Sequence, residues 1–131
     1  MKLKTDIESR AHVYHLVETF YGKIRKDDKL GPIFNKHITD WPHHFEHLTD
    51  FWESQLLFTK RFRGNPMQAH IKVDQAEEEP ITNELFGHWL NYWFQTVDEL
   101  YQGDIAERAK HNARKLSTFL YLQMWQARQA K

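Results

Sequence analysis

The chain has 131 residues, no cysteine, and 18 basic against 18 acidic side chains, so its net charge is zero with neutral histidine. That length suits a single domain over residues 1–131 with a core of its own, and the lack of thiols excludes disulfides, thiolate metal sites and cysteine nucleophiles. Balanced charge argues against a protein that coats nucleic acid or an anionic membrane.

The first predicted helix opens at Thr5-Asp6-Ile7-Glu8, a capping-box pattern, and places Val13, Val17, Phe20, Tyr21 and Ile24 on one face. Arg25-Lys26 end it with positive charge, as the helix dipole favours. After the break at residues 27–32, Pro32-Ile33-Phe34 start a short helical turn. A second long helix is expected from about Trp41 to Phe58, capped by Thr39 or Asp40, with Trp41, Phe45, Leu48, Trp52 and Gln55/Leu56 on one side. Residues 59–65 are basic and irregular. Asn65-Pro66 then pairs an N-cap with a proline at the first helical position, starting a one-turn helix, Met67-Gln68-Ala69-His70. Residues 71–79 turn acidic and are expected as a loop.

A third long helix is expected from Pro80 or Thr82 to Gly103, with a stripe of Leu85, Trp89, Trp93, Val97 and Leu100. The fourth opens at Asp104-Ile105-Ala106-Glu107, read as a cap with an acid three residues on, and buries Ile105, Ala109, Leu116, Phe119, Leu120 and Met124. No segment alternates with period two, so the fold class is all-α. No apolar run reaches the roughly 20 residues of a membrane span, and the basic opening residues lead into no apolar signal core, so the expected compartment is the cytoplasm.

Two excesses point to function. Nine Phe, five Tyr, five Trp and nine His are more aromatic and imidazole groups than a core of this size needs, and they suit a flat apolar ligand or a metal. His43 and His47 lie one helical turn apart and, with His88, could chelate zinc, although a tetrahedral site wants three or four ligands at a recognisable spacing. His70 ends a short helix that the sequence takes care to start. An imidazole there can aim one nitrogen at an axial metal position while the other bonds a backbone carbonyl, which fixes its tautomer. Tyr21, His44 and Trp89 come from three helices, each on or beside an apolar stripe and each with a polar tip. The plainer reading of Tyr21 and Trp89 is as core aromatics with satisfied ends.

Together these residues resemble the truncated haemoglobins, specifically their third group. Phe20 to Asp27 with Leu30-Gly31-Pro32-Ile33-Phe34-Asn35 resembles the family's B helix and the turn after it. Phe51-Trp52 with His44 upstream resembles the E helix, Asn65 to His70 the short F segment, and His88-Trp89-Leu90 the haem-facing part of the G helix. The order and spacing match from about residue 5 to residue 125, and the absence of any Gly-Gly pair favours the third group over the first two.

The resemblance implies a globin-like two-over-two helical sandwich enclosing one haem b. It implies His70 as the proximal iron ligand, Tyr21, His44 and Trp89 as distal groups, and Phe34, Leu48, Phe51, Trp52, Met67 and Trp89 as pocket lining. Lys60, Arg61 and Arg63 are candidates for the propionates by position. His43, beside His44, leaves the distal assignment open by one residue. The implied function is binding of O2, and of other diatomics such as NO or CO, at ferrous iron. Oxygen transport or redox handling of NO or peroxide fits better than bulk storage, with peroxidase-like or NO-dioxygenating activity physically open. An electron-donating reductase and a monomeric state are further implications. The alternatives are a helical-bundle zinc enzyme using His43, His47 and His88, and an all-α interaction module whose aromatics are only core.

Overall fold

The computed structural model describes residues 4–59, 71, 72, 74 and 81–129, and every regular element among them is helical. Helix α1 (Arg10–Ile24) starts where the Ser9 hydroxyl accepts the His12 amide at 3.3 Å. Val13, Leu16, Val17, Phe20, Tyr21 and Ile24 form its buried stripe, as 3.6-residue periodicity requires.

The capping box expected at Thr5–Glu8 does not form. Asp6 instead reaches across the chain to α5 (Asp104–Gln129), where its carboxylate accepts from Ile105 N at 2.9 Å and Ala106 N at 2.8 Å. A carboxylate at a helix start meets both free N–H groups and the positive end of the dipole. Burial pushes the Asp6 carboxyl up, but its bonds from Ile105, Ile7 and Ala106 and the charge of Arg108 outweigh this and hold it below the usual value. The close approach depends on Gly103, whose φ is +143° and where a Cβ would lie 2.5 Å from the Asp6 carboxyl carbon. Asp104 is therefore the first helical residue of α5 and not its cap.

Helix α2 (Leu30–His37) starts two residues before Pro32. Asp27 explains this: its Oδ2 accepts from Lys29 N at 2.9 Å and Leu30 N at 2.8 Å. Its other oxygen accepts the Tyr92 hydroxyl at 2.6 Å, which ties α2 to α4 (Asn83–Leu100). Helix α3 (Trp41–Leu57) is capped by Asp40, which accepts the His43 amide at 3.1 Å, and ends one residue earlier than expected. Phe58 takes a left-handed φ of 61° and closes it. Trp41, Phe45, Thr49, Trp52, Glu53 and Leu56 are its buried residues. Glu53 is tolerated inside because Arg10 of α1 reaches it at 3.2 Å and the Thr59 hydroxyl at 3.1 Å, while the same guanidinium holds Glu46 and Asp50.

Helix α4 is capped by Thr82 and stops at Leu100, before Gly103. Its Trp93 is fully buried, and the indole N–H donates to the Ala109 carbonyl of α5 at 3.0 Å. That bulky side chain requires small partners. The buried row of α5 is accordingly Ala106, Ala109, Ala113 and Ser117, ending in Leu120 and Met124. Phe119, expected in this row, is half exposed, and Ile105 and Leu116 are only partly buried. Ile71, Lys72 and Asp74 are helical where a loop was expected. The predicted turn Met67–His70 lies outside the described residues.

Helix α1 packs on α3 and α4 on α5, and the two pairs meet through α1 against α4 and α3 against α5, with α2 spanning α1 and α4. This is a two-over-two helical sandwich. Its centre is aromatic. Trp52 stacks on Trp93 at 4.4 Å between ring centroids, and Phe20 presents its edge to Trp93 at 5.0 Å and to Trp89 at 5.5 Å.

Candidate functional site: three polar tips in an aromatic nest

Tyr21 sits near the end of α1 on its buried stripe, 6 % exposed. Its ring centroid lies 5.5 Å from His44 and 5.6 Å from Phe34, with Trp41 at 5.8 Å and Phe45 at 6.2 Å. Burial raises its pKa far above the ordinary phenol value, and a hydrogen bond from Trp89 offsets a little of that rise. An indole N–H can only donate, so the phenol oxygen accepts it and the Tyr21 proton remains to be given elsewhere. Phe20, the neighbour of Tyr21 on α1, packs edge-on against Trp89 and holds α1 and α4 in this relation.

His44 lies in the second turn of α3 and is partly buried. Its ring packs edge-on against Tyr21 and, at 5.6 Å, against Trp41. Its Nε2 is buried and has no hydrogen-bond partner among the described residues. Burial first, then the neighbouring His47 and His43, lowers its pKa to about 4. The ring is therefore neutral at pH 7, with one nitrogen free to meet a ligand. His43 is exposed, and this separates the two neighbours that the sequence alone left undecided.

The structure thus brings Tyr21, His44 and Trp89 together from three helices. Phe34, Leu48, Phe51 and Trp89 are partly buried against the core, and Trp52 is 3 % exposed within it. Trp41 and Phe45 were read only as core positions, yet both pack on Tyr21. Their place one turn apart on the His44 side of α3 is the signal that could have found them. Lys60, Arg61, Arg63, Met67 and His70 lie outside the described residues.

The zinc alternative gains nothing from the fold. His43 and His47 line an open depression of about 300 Å³ with His37, Asp40 and His44, whereas His88 sits on α4, 3.6 Å from Glu84. Among the described residues no three His, Asp or Glu side chains gather as metal ligands. No helix among the described residues is long and apolar enough to cross a membrane.

A two-over-two helical sandwich with polar tips converging inside an aromatic nest is the architecture of a globin. No known family model matches the chain. It is 29 % identical over 127 residues to the group 3 truncated hemoglobin ctb of Campylobacter jejuni, covering 91 % of this chain and 96 % of that protein. The crystal structure of a group III truncated hemoglobin from Campylobacter jejuni superposes with a TM-score of 0.81 at 26 % identity, covering 93 % of this chain and 95 % of that one. Over nearly its whole length the chain is similar to truncated haemoglobins of the third group.

Proposed function

We propose that the chain holds a haem, with His70 as the proximal ligand of the iron, and binds O2 and other small diatomic ligands beside Tyr21, His44 and Trp89. The observation that carries this reading is the orphaned, buried Nε2 of His44, whose ring packs edge-on against the buried Tyr21. Buried polar groups are ordinarily satisfied, and an unpaired nitrogen among apolar rings fits a missing partner.

The imidazole of His70 would hold the haem, which when bound would supply binding of a diatomic ligand and exchange of electrons. Tyr21 supplies the proton that a polarised ligand accepts, and its raised pKa keeps that proton in place across the physiological range. Trp89 orients the phenol by donating to its oxygen. His44 contributes a neutral nitrogen instead of a charge, so ligand polarity is met by hydrogen bonds in a poorly solvated pocket. Phe34, Leu48, Phe51 and Trp52 are the proposed lining, with Met67 assigned to it by sequence, and Lys60, Arg61 and Arg63 are the candidates for the propionates by their place in the chain.

A hydrogen bond from Tyr21, with His44 beside it, slows ligand release, which suits retention or redox chemistry on NO or peroxide better than bulk storage. The expected donor of electrons is a separate reductase. Ultraviolet–visible spectra of the purified, haem-saturated protein test the proposal. A Soret band that moves on reduction and again on exposure to O2 is expected, and a protein that shows no Soret band refutes it.

A further inference from the structure

Three indoles meet one another in turn at the centre of the fold, Trp89 and Trp93 from α4 and Trp52 from α3. The rings of Trp89 and Trp93 are parallel within 1°, with centroids 6.2 Å apart. Those of Trp93 and Trp52 stack at 4.4 Å with 24° between their planes. Trp93, the middle ring, is fully buried, and its N–H donates to the Ala109 carbonyl at 3.0 Å. Trp89 donates to the Tyr21 hydroxyl, which joins the row to the distal nest.

Packing alone does not ask for indoles here. Phe20 fills the adjoining space, meeting Trp89 and Trp93 edge-on, and a phenyl ring also buries a large apolar area. What separates an indole from a phenyl ring is that it gives up an electron far more readily. Stacked rings share the positive charge left behind. Transfer between rings in contact is fast, because electronic coupling decays exponentially with distance. Burial opposes the charge, but the Ala109 carbonyl aims its negative end at the Trp93 N–H and offsets part of that cost. A backbone carbonyl is too weak a base to take the proton, so the charge stays on the row. Water, which would consume an oxidised indole, has little access: Trp93 is 0 % exposed and Trp52 3 %.

We propose that Trp89, Trp93 and Trp52 are an internal electron store for the reduction of hydrogen peroxide at the nest, with Trp93 at its centre. The proposal rests on the haem reading given above, since the haem supplies the redox chemistry when bound. Hydrogen peroxide takes two electrons and two protons; its O–O bond breaks, two O–H bonds form, and it leaves as two water molecules. The row gives the electrons one at a time through Trp89, and the protons come from solvent. Each electron lost leaves one indole cation radical in the row, and an external one-electron donor such as ascorbate refills it. Two such turns balance one peroxide against two molecules of oxidised donor.

The test mixes the haem-loaded full chain with an equimolar amount of hydrogen peroxide and freezes it rapidly. Electron paramagnetic resonance reads the radical, in protein made with ordinary and with ring-deuterated tryptophan, and peptide mass spectrometry locates oxidised indoles. The wild type is expected to show a radical signal that narrows on deuteration, oxygen added at Trp89, Trp93 or Trp52, and loss of the signal when ascorbate is present. Trp93→Phe is expected to lose the tryptophan signal while its CO complex keeps the wild-type C–O stretch. Trp125→Phe, which changes a half-exposed indole on α5 outside the row, is expected to keep the signal. If Trp93→Phe does not fold, Trp52→Phe takes its place, with a weaker and shorter-lived tryptophan signal expected. A radical that does not respond to deuteration, a wild-type signal in the row variants, or a signal lost in Trp125→Phe overturns the electron store. Wild-type protein with no Soret band after haem loading refutes the haem reading itself, whereas a Soret band with no indole radical refutes only the store.

Discussion

Replacing Tyr21 by Phe deletes one hydroxyl and keeps the ring. The contacts to Phe20 at 4.8 Å, Phe34 at 5.6 Å and His44 at 5.5 Å survive, so the nest should hold its shape. The deleted group is nearly inaccessible to water, and Trp89 loses the acceptor for its N–H. A neutral hydrogen bond contributes about 0.5–1.5 kcal/mol net, and one to a charged partner about 1.5–3 kcal/mol. A ligand polarised but not fully charged falls between these, near 1.4 kcal/mol, which is a factor of about ten in affinity. Tyr21→Phe should therefore speed O2 dissociation about tenfold, measured by stopped flow with CO as the competing ligand. The raised pKa adds a second requirement: the wild-type off-rate should not respond to deprotonation of this phenol between about pH 7 and pH 10. An off-rate unchanged in the variant would remove Tyr21 from ligand stabilisation.

Other perturbations address the remaining links. His70→Ala should purify largely without haem, and a normal haem content in that variant would end the proximal assignment. His44 has a folded-state pKa of about 4 against an ordinary 6.5, so the unfolded chain binds its proton more readily. This group's contribution to stability is then present above pH 6.5 and is lost as the pH falls toward 4, with a slope of up to one proton. Urea midpoints at pH 7 and pH 5 should therefore fall more in the wild type than in His44→Gln, and equal falls would contradict the burial of this ring. Asp6→Ala should lower the unfolding free energy by about 1–2 kcal/mol through loss of the α5 cap, read from denaturant midpoints. Gly103→Ala should also destabilise, because its Cβ would meet the Asp6 carboxylate. A midpoint equal to wild type in either variant would show that the cap contributes nothing.

The amphipathic faces were largely legible in the chain. Val13, Val17, Phe20, Tyr21 and Ile24 repeat at helical spacing and are buried as expected, and Asp40 and Thr82 cap the helices they precede. Such signals act within a few residues, since a cap bonds an amide of the first turn and a stripe needs only the helical period. The errors arose where distant groups outcompete local ones. Asp6 had a nearby helix to cap and instead caps one that starts about a hundred residues later, because the fold brings the free amides of Ile105 and Ala106 to it. Phe119 looked like a core residue, but Trp93 fills the space under α5 and leaves room there for Ala109 and Ala113.

The candidate site divides along the same line. Residue types and their order were enough to single out Tyr21, His44 and Trp89, because a phenol, an imidazole and an indole beside apolar stripes are visible in one dimension. Their convergence was not, since it depends on the crossing of α1 over α3 and α4. The choice of His44 over His43 required the same information: the two rings differ by one position, about 100° around the helix, and only the neighbouring Tyr21 and Trp41 define which direction is inward. The pairing of Asp74 with Arg128 joins positions 54 residues apart and leaves no local trace. Short-range patterns set the helices and their faces, while pairings between distant charges follow from packing, because the free energy of a buried charge depends on what the whole fold places beside it.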